Sequence, residues 1–130
     1  VSDWFMHTDF RPAAGPQRAG LVERIGVTDR AILDTIEAME NHISDPLNLL
    51  ELSRIAGVSS RQLNRLYQLK LNITTMGYYR NIRLEMAQNL LRNSSLSVTE
   101  ISLATGFSGS AHFSSCYSQK YGTSPSSHRR

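Results

Sequence analysis

From residue 29 onward the apolar positions of this chain fall at helical spacing, and before it they do not. Ile32, Ile36, Met39 and Ile43 recur at i, i+4, i+7 and i+11. They predict one apolar face of a helix that starts after Thr28, carries Asp29 in its first turn and stops at Ser44-Asp45-Pro46. Tyr79, Ile82, Met86 and Leu90 line one side of a longer helix over 74–92, with Leu84, Ala87 and Leu91 beside them. Leu63, Leu66 and Tyr67, and again Phe113, Cys116 and Tyr117, each make an i, i+3, i+4 stripe. Ser124-Pro125 places a cap before a proline at the first helical position and opens a last short helix. No segment alternates as a strand does. The pattern predicts an all-α chain of about seven helices. Residues 1–28, with Pro12, Gly15, Pro16, Gly20 and Gly26, keep no sustained period and read as a linker or the end of an upstream domain. Trp4, Phe5 and Phe10 in that stretch are apolar enough to dock elsewhere.

Part of the pattern occurs twice. Leu47-Asn48-Leu49-Leu50-Glu51-Leu52-Ser53-Arg54-Ile55-Ala56-Gly57-Val58-Ser59 matches Leu96-Ser97-Val98-Thr99-Glu100-Ile101-Ser102-Leu103-Ala104-Thr105-Gly106-Phe107-Ser108 at an offset of 49. Past the glycine the offset becomes 50 and pairs Leu63 with Phe113, Tyr67 with Tyr117 and Asn72 with Gly122. A repeat of this kind marks a duplicated structural unit. Each copy predicts a short helix, a turn at glycine and a longer helix, which is a helix-turn-helix. The units cover about 48–71 and 97–121. Asn48-x-x-Glu51 and Ser97-x-x-Glu100 are capping boxes at matching starts. Gly57 and Gly106 suit the left-handed conformation that closes a helix. Ser59 and Ser108 are expected to cap the second helix of each unit. The connecting helix, at 1.5 Å per residue, spans about 28 Å, near the roughly 34 Å between successive major grooves on one face of B-DNA.

Charge sharpens the picture. Residues 1–58 hold five arginines against nine carboxylates, whereas residues 59–130 hold nine Lys/Arg against Glu85 and Glu100 alone. The basic half favours a polyanion. Twelve of the fourteen cations are arginine, whose planar fork suits phosphates and guanine edges. No apolar run approaches the roughly 20 residues of a membrane span. Cys116, the single cysteine, cannot form an internal disulfide, which is compatible with a reducing cytoplasm, the expected location. The opening Val1-Ser2-Asp3-Trp4-Phe5 shows no secretory signal. The lack of an initiator methionine implies a piece of something longer. His7, His42, His112 and His128 share no metal-ligand spacing, and no H-E-x-x-H, P-loop or serine nucleophile elbow is present. No enzyme, no metal and no cofactor are expected.

Gly106-Phe107-Ser108, then Phe113, Tyr117 and Gly122-Thr123-Ser124-Pro125, set in a helical duplicate, resemble the AraC/XylS family of bacterial transcription regulators over roughly residues 29–130. The resemblance implies two helix-turn-helix units joined by a long helix, which bind double-stranded DNA. Gln17-Arg18 followed by Val27-Thr28-Asp29-Arg30 further resembles the subgroup with an amino-terminal class I glutamine amidotransferase-like domain. Such an effector-sensing domain would be absent from this chain. The family's usual arginine after the first aromatic of the second unit is Ser115 here, and the usual lysine after the second aromatic is Ser118. Asn72 stands for the glycine of the first unit and Thr75 for its proline. The two serines weaken the expected phosphate anchoring by the second unit.

A recognition helix presents its first turns to base edges. With Leu63, Leu66 and Tyr67 inward, Arg61, Gln62, Asn64 and Arg65 point outward; arginine suits guanine, and glutamine and asparagine suit adenine. Gln62 has a competing role in a Ser59-x-x-Gln62 capping box. With Phe113, Cys116 and Tyr117 inward, Ser110, Ala111, His112 and Ser115 face out; Ala111 suits a thymine methyl and His112 is the main reader. Cys116 reads as a small packed hydrophobe. Ser59, Lys70, Ser108 and Lys120 are expected near phosphates, with Arg80, Arg83, Arg92, Arg129 and Arg130 as further candidates. The first unit should dominate affinity, and tandem units should prefer an asymmetric site. RNA polymerase is a further expected partner, through the acidic face of the first helix (Asp34, Glu37, Glu40). The competing function is a helical protein-interaction module with little DNA affinity. RNA fits less well, because A-form helices close the major groove to side chains.

Overall fold

The structure, a computed structural model, describes residues 15–26 and 28–129. Those residues form eight helices and no strand: α1 Gly15–Ile25, α2 Arg30–Asn41, α3 Leu49–Ala56, α4 Ser60–Leu71, α5 Thr75–Asn93, α6 Val98–Ala104, α7 Ser110–Tyr121 and α8 Pro125–Arg129. They separate into two compact units. Unit 1 contains the described residues up to Asn41 together with Leu47–Tyr78, and unit 2 contains His42–Pro46 with the chain from Tyr79 onward. Trp4, Phe5, Phe10 and Arg130 lie outside the described residues.

The all-α expectation holds, and a helix not expected from the sequence, α1, occupies part of the 1–28 stretch. Arg18, Leu21 and Arg24 recur every third residue, which places them together on a helix. Leu21 is buried. Arg18 pairs with Asp34 at 2.8 Å and Glu37 at 3.1 Å, and Arg24 pairs with Glu40 at 3.2 Å. One buried leucine leaves no apolar period to find; the charge complementarity between Arg18-x5-Arg24 and Asp34-x5-Glu40 was the available signal. Asp29 is also displaced from the expected first turn. It precedes α2, and its Oδ1 accepts from the backbone N–H groups of Ala31 (3.0 Å) and Ile32 (3.4 Å), so it caps the helix.

The core of unit 1 is the α2 face of Ile32, Leu33, Ile36 and Met39 against Leu52 of α3 and Leu63 and Tyr67 of α4. The Tyr67 hydroxyl lies 2.6 Å from Thr35 Oγ1, which also lies 2.9 Å from the Ala31 carbonyl oxygen. Thr35 has one proton to give, and a helix carbonyl takes it; Tyr67 is therefore the donor to Thr35. Burial pushes the Tyr67 pKa well above its ordinary value.

Unit 2 packs Leu84, Ala87, Leu90 and Leu91 of α5 against Ile101, Phe107, Phe113 and Tyr117. Ile43, predicted at the end of the α2 stripe, is buried but lies beyond the helix in the His42–Pro46 segment of this unit. Tyr79 donates its hydroxyl to the His42 carbonyl in the same segment. Tyr117 sits 2.5 Å from Nδ1 of His128 in α8. The duplicated tyrosines thus hold different partners, a threonine in unit 1 and a histidine in unit 2. Gly106 has φ +81°, and a Cβ there would come within 2.5 Å of the Ile43 carbonyl oxygen and 2.6 Å of Pro46 Cγ. Conformation and space both require glycine at that turn.

Candidate nucleic-acid interface

Each unit opens on the same local devices. Asn48 Oδ1 accepts from Glu51 N at 2.8 Å while the Glu51 carboxylate accepts from Asn48 N at 2.9 Å. Ser97 and Glu100 repeat the exchange at 3.0 and 2.8 Å. Both boxes satisfy N–H groups that a helix start leaves open. Buried Ser53 and Ser102 each donate back into their own helix, to Leu50 O and Thr99 O. Gly57 then turns the chain at φ +74° and Gly106 at φ +81°.

The starts of the second helices differ. Ser59 Oγ accepts from Gln62 N at 3.1 Å and caps α4, but only this half of the expected capping box forms. The Gln62 side chain is left exposed and is not committed to a cap. Ser108 does not cap α7. Gly109 holds the cap position, with φ −179° and no side-chain hydrogen bond. The change of offset explains this: the second turn is one residue longer, so the residue 50 places after Ser59 is Gly109.

On α4, Leu63 and Tyr67 are buried and Arg61, Gln62 and Arg65 are exposed together, as expected. Lys70 is exposed in the last turn. Asn64 departs from expectation. It is half-buried, and its Oδ1 accepts the backbone N–H of Thr75 at 3.0 Å. Bidentate reading of adenine needs both ends of the amide, and one end serves the start of α5.

On α7, Phe113 and Tyr117 are buried; Ala111, His112 and Ser115 are exposed and Ser110 is half-buried. One side of the His112 ring faces Phe107, with centroids 5.7 Å apart, and Cys116 Sγ lies 3.9 Å from its Nε2. Ser108 and Lys120 are exposed, with Lys120 Nζ 5.3 Å from the Tyr121 ring centre. The preceding helices show the same contrast in charge: exposed Arg54 in α3 corresponds to exposed Leu103 in α6.

Of the remaining cations, Arg80 and Arg92 are exposed. Arg83 is not a free phosphate anchor. Its Nη1 donates to the carbonyls of Thr105 (3.2 Å) and Gly106 (3.0 Å), and its guanidinium lies 4.4 Å over Phe107. Burial lowers its pKa. Arg129 Nε donates to the Leu91 carbonyl at 3.2 Å, near the end of α5. Both arginines satisfy backbone oxygens at helix ends, a role that spacing along the chain does not reveal because the acceptors are 22 to 38 residues away. The described residues contain no group of three or more His, Cys, Asp or Glu side chains placed to hold a metal ion. None of their helices is long and apolar enough to cross a membrane.

Two tandem capped helix-turn-helix units define the class of the protein. A family described as "Helix-turn-helix domain" matches residues 52–130, more than half of the chain, and the chain belongs to this family, in its AraC type. It is 42% identical over 130 residues to the HTH-type transcriptional regulator GlxA of Rhizobium meliloti, covering 100% of this chain and 40% of that protein. It therefore spans well under half the length of this relative. Among solved structures it is similar to a transcriptional regulator with an AraC-type DNA-binding domain from Chromobacterium violaceum. That match has a TM-score of 0.72 at 34% identity and covers 85% of this chain and 93% of the other. The DNA-binding domain of AdpA, solved with a target DNA, shares the fold, with a TM-score of 0.72 at 24% identity over 78% of this chain and 91% of that one.

Proposed function

We propose that this chain is the DNA-reading part of a bacterial transcription regulator, with α4 and α7 each entering a major groove of one asymmetric site. The observation that carries this function is the composition of the two exposed faces. Neither 59–72 nor 108–122 contains a carboxylate, while Arg61, Arg65, Lys70, His112 and Lys120 are all exposed there. A helix anchored from beneath by Leu63 and Tyr67 presents Arg61, Gln62 and Arg65 as base readers, with Ser59 and Lys70 toward the phosphates. On α7, Ser110, Ala111, His112 and Ser115 face the bases, with Ser108 and Lys120 at the backbone. The AdpA domain was solved in complex with a target DNA, and the GlxA relative is named a transcriptional regulator. Together these favour duplex DNA over a protein partner; Leu69, one turn beyond Arg65, is the exposed large apolar side chain on α4.

The acidic face expected to meet RNA polymerase gives little support to that partner. Asp34, Glu37 and Glu40 are already paired with Arg18 and Arg24 of α1. The deciding experiment is selection of bound sequences from a random duplex library at two salt concentrations, with and without Arg65→Ala. The expected result is an asymmetric motif of two blocks about one helical turn apart, the first degraded by the substitution. Weak binding with no enriched motif, abolished by salt, would favour the protein-interaction alternative.

A further inference from the structure

Arg83 is held on several sides within unit 2. It lies on α5, half-buried, with its guanidinium 4.4 Å from the Phe107 ring centre and 5.6 Å from that of Tyr79. Nη1 donates to Thr105 and Gly106, the residues that close α6. These oxygens lie just past Ala104, the last residue of α6, in the turn that leads to α7. Phe107, held under the guanidinium, in turn meets Phe113 at 5.3 Å and His112 at 5.7 Å between ring centres. A continuous set of contacts thus runs from Arg83 through Phe107 to His112, the exposed ring on the first turn of α7. Both hydrogen bonds leave the one nitrogen, while the planar guanidinium stacks on Phe107 as lysine's ammonium, a point charge, does not.

We propose that Arg83 is the positioning residue of the second reading helix: it touches no DNA, but it fixes the α6–α7 turn and, through Phe107, the orientation of His112. The inference rests on α7 being a DNA reader. A role limited to holding unit 2 together would lower stability without changing which bases are preferred. A positioning role changes the second block of the site and leaves the first block intact.

The test uses the 130-residue chain as wild type, Arg83→Met, Arg83→Lys and His112→Ala. Bound sequences are selected from a random duplex library, and His112 ring resonances are recorded by NMR without DNA. Arg83→Met keeps an apolar stem and is expected to lose base preference in the second block, as His112→Ala does, while keeping the first. Its His112 ring resonances are expected to move as Phe107 is released. Arg83→Lys, which keeps the charge but not the planar fork, is expected to behave as Arg83→Met. A folded Arg83→Met that reads both blocks like wild type, or leaves the His112 ring unshifted, overturns the proposal. If Arg83→Met does not fold by circular dichroism, a folded Arg83→Lys with wild-type selection overturns it equally. A wild-type chain that enriches no sequence overturns the DNA-reading function instead, and the His112 resonances then still decide whether Arg83 orients that ring.

Discussion

The side-chain carbonyl of Asn64 accepts the backbone N–H of Thr75 at 3.0 Å, and the corresponding residues of unit 2 are Ser114 and Pro125. Both pairs meet the same requirement. The first residue of a helix carries an N–H with no intrahelical acceptor. Asn64 supplies one to Thr75, whereas Pro125 has no N–H to satisfy and asks nothing of Ser114. The caps before them are alike: Thr74 Oγ1 accepts from Gly77 N at 3.0 Å and Ser124 Oγ from Ser127 N at 3.2 Å.

Asn64→Ala should therefore cost stability of about 1–2 kcal/mol rather than base preference. Thr75→Pro removes the donor along with a buried Oγ1 that has no hydrogen-bond partner among the described residues. At a first helical position proline is well suited, so this change should be neutral or stabilise by about 0.5–1 kcal/mol. In the Thr75→Pro background Asn64→Ala should cost little. Urea denaturation of the four proteins measures the coupling, and purely additive effects would contradict the pairing.

The two starts of the reading helices give a second contrast. Ser59 caps α4, so Ser59→Ala should destabilise by about 1 kcal/mol. Ser108 caps nothing and its alanine variant should stay within about 0.5 kcal/mol of wild type. Gly109→Ser restores a cap on extended backbone with no atom within 4 Å of the new Cβ. It should stabilise by about 0.5–1 kcal/mol. Thermal melts of the three variants check the order.

Gly57 and Gly106 occupy matching turns, yet substitution should separate them. Alanine at Gly57, with φ +74° and open space around its Cβ, should cost only the left-handed penalty of about 1–2 kcal/mol. At Gly106 the same penalty is joined by collision with the Ile43 carbonyl and the Pro46 ring. Overpacking adds a further cost of roughly 1–3 kcal/mol. Equal losses in denaturant would show that the His42–Pro46 segment yields freely.

Much of this was legible in the sequence because it rests on near neighbours. The capping boxes, the left-handed glycines and the inward stripes at Leu63/Tyr67 and Phe113/Tyr117 all follow from residues within one or two turns of one another. What escaped depends on partners far along the chain or on a single inserted residue. The carboxylates that meet Arg18, the carbonyls that hold Arg83 and the N–H that occupies Asn64 are 11 to 23 residues away. The Ser108 cap failed because the extra turn residue was visible as a change of offset, but its effect falls on the cap position itself.

Alkaline pH should unfold the chain in a defined window. Burial raises the pKa of Tyr67 and Tyr117, and pushes that of Tyr121 from 10.0 up to about 12, with Glu85 adding to the last. The folded state therefore holds these phenol protons more tightly than the unfolded chain. The resulting stability is fully present below pH 10, where both states are protonated, and declines as pH rises from there through about 12. Denaturation midpoints should fall across that interval, with late tyrosinate absorbance tracking the loss. Midpoints independent of pH above 10 would contradict the burial of these rings.

The contrast between the reading faces leads to unequal consequences of mutation. Arg61 and Arg65 are exposed on α4, where each can grip a guanine edge or a phosphate; α7 offers Ala111, His112 and Ser115. A bidentate arginine contact discriminates by about 1–3 kcal/mol, and hydroxyls and methyls give less directional contacts. Arg65→Ala should thus weaken specific binding by roughly tenfold or more. His112→Ala or Ser115→Ala should change it by about threefold or less. An arginine that reads a base should relax preference at one position of the first block; one that only touches phosphate should weaken all sequences alike and lower the salt slope by about one ion. Titrations of the selected site at several salt concentrations separate these outcomes, and equal losses from the two helices would refute the dominance of unit 1.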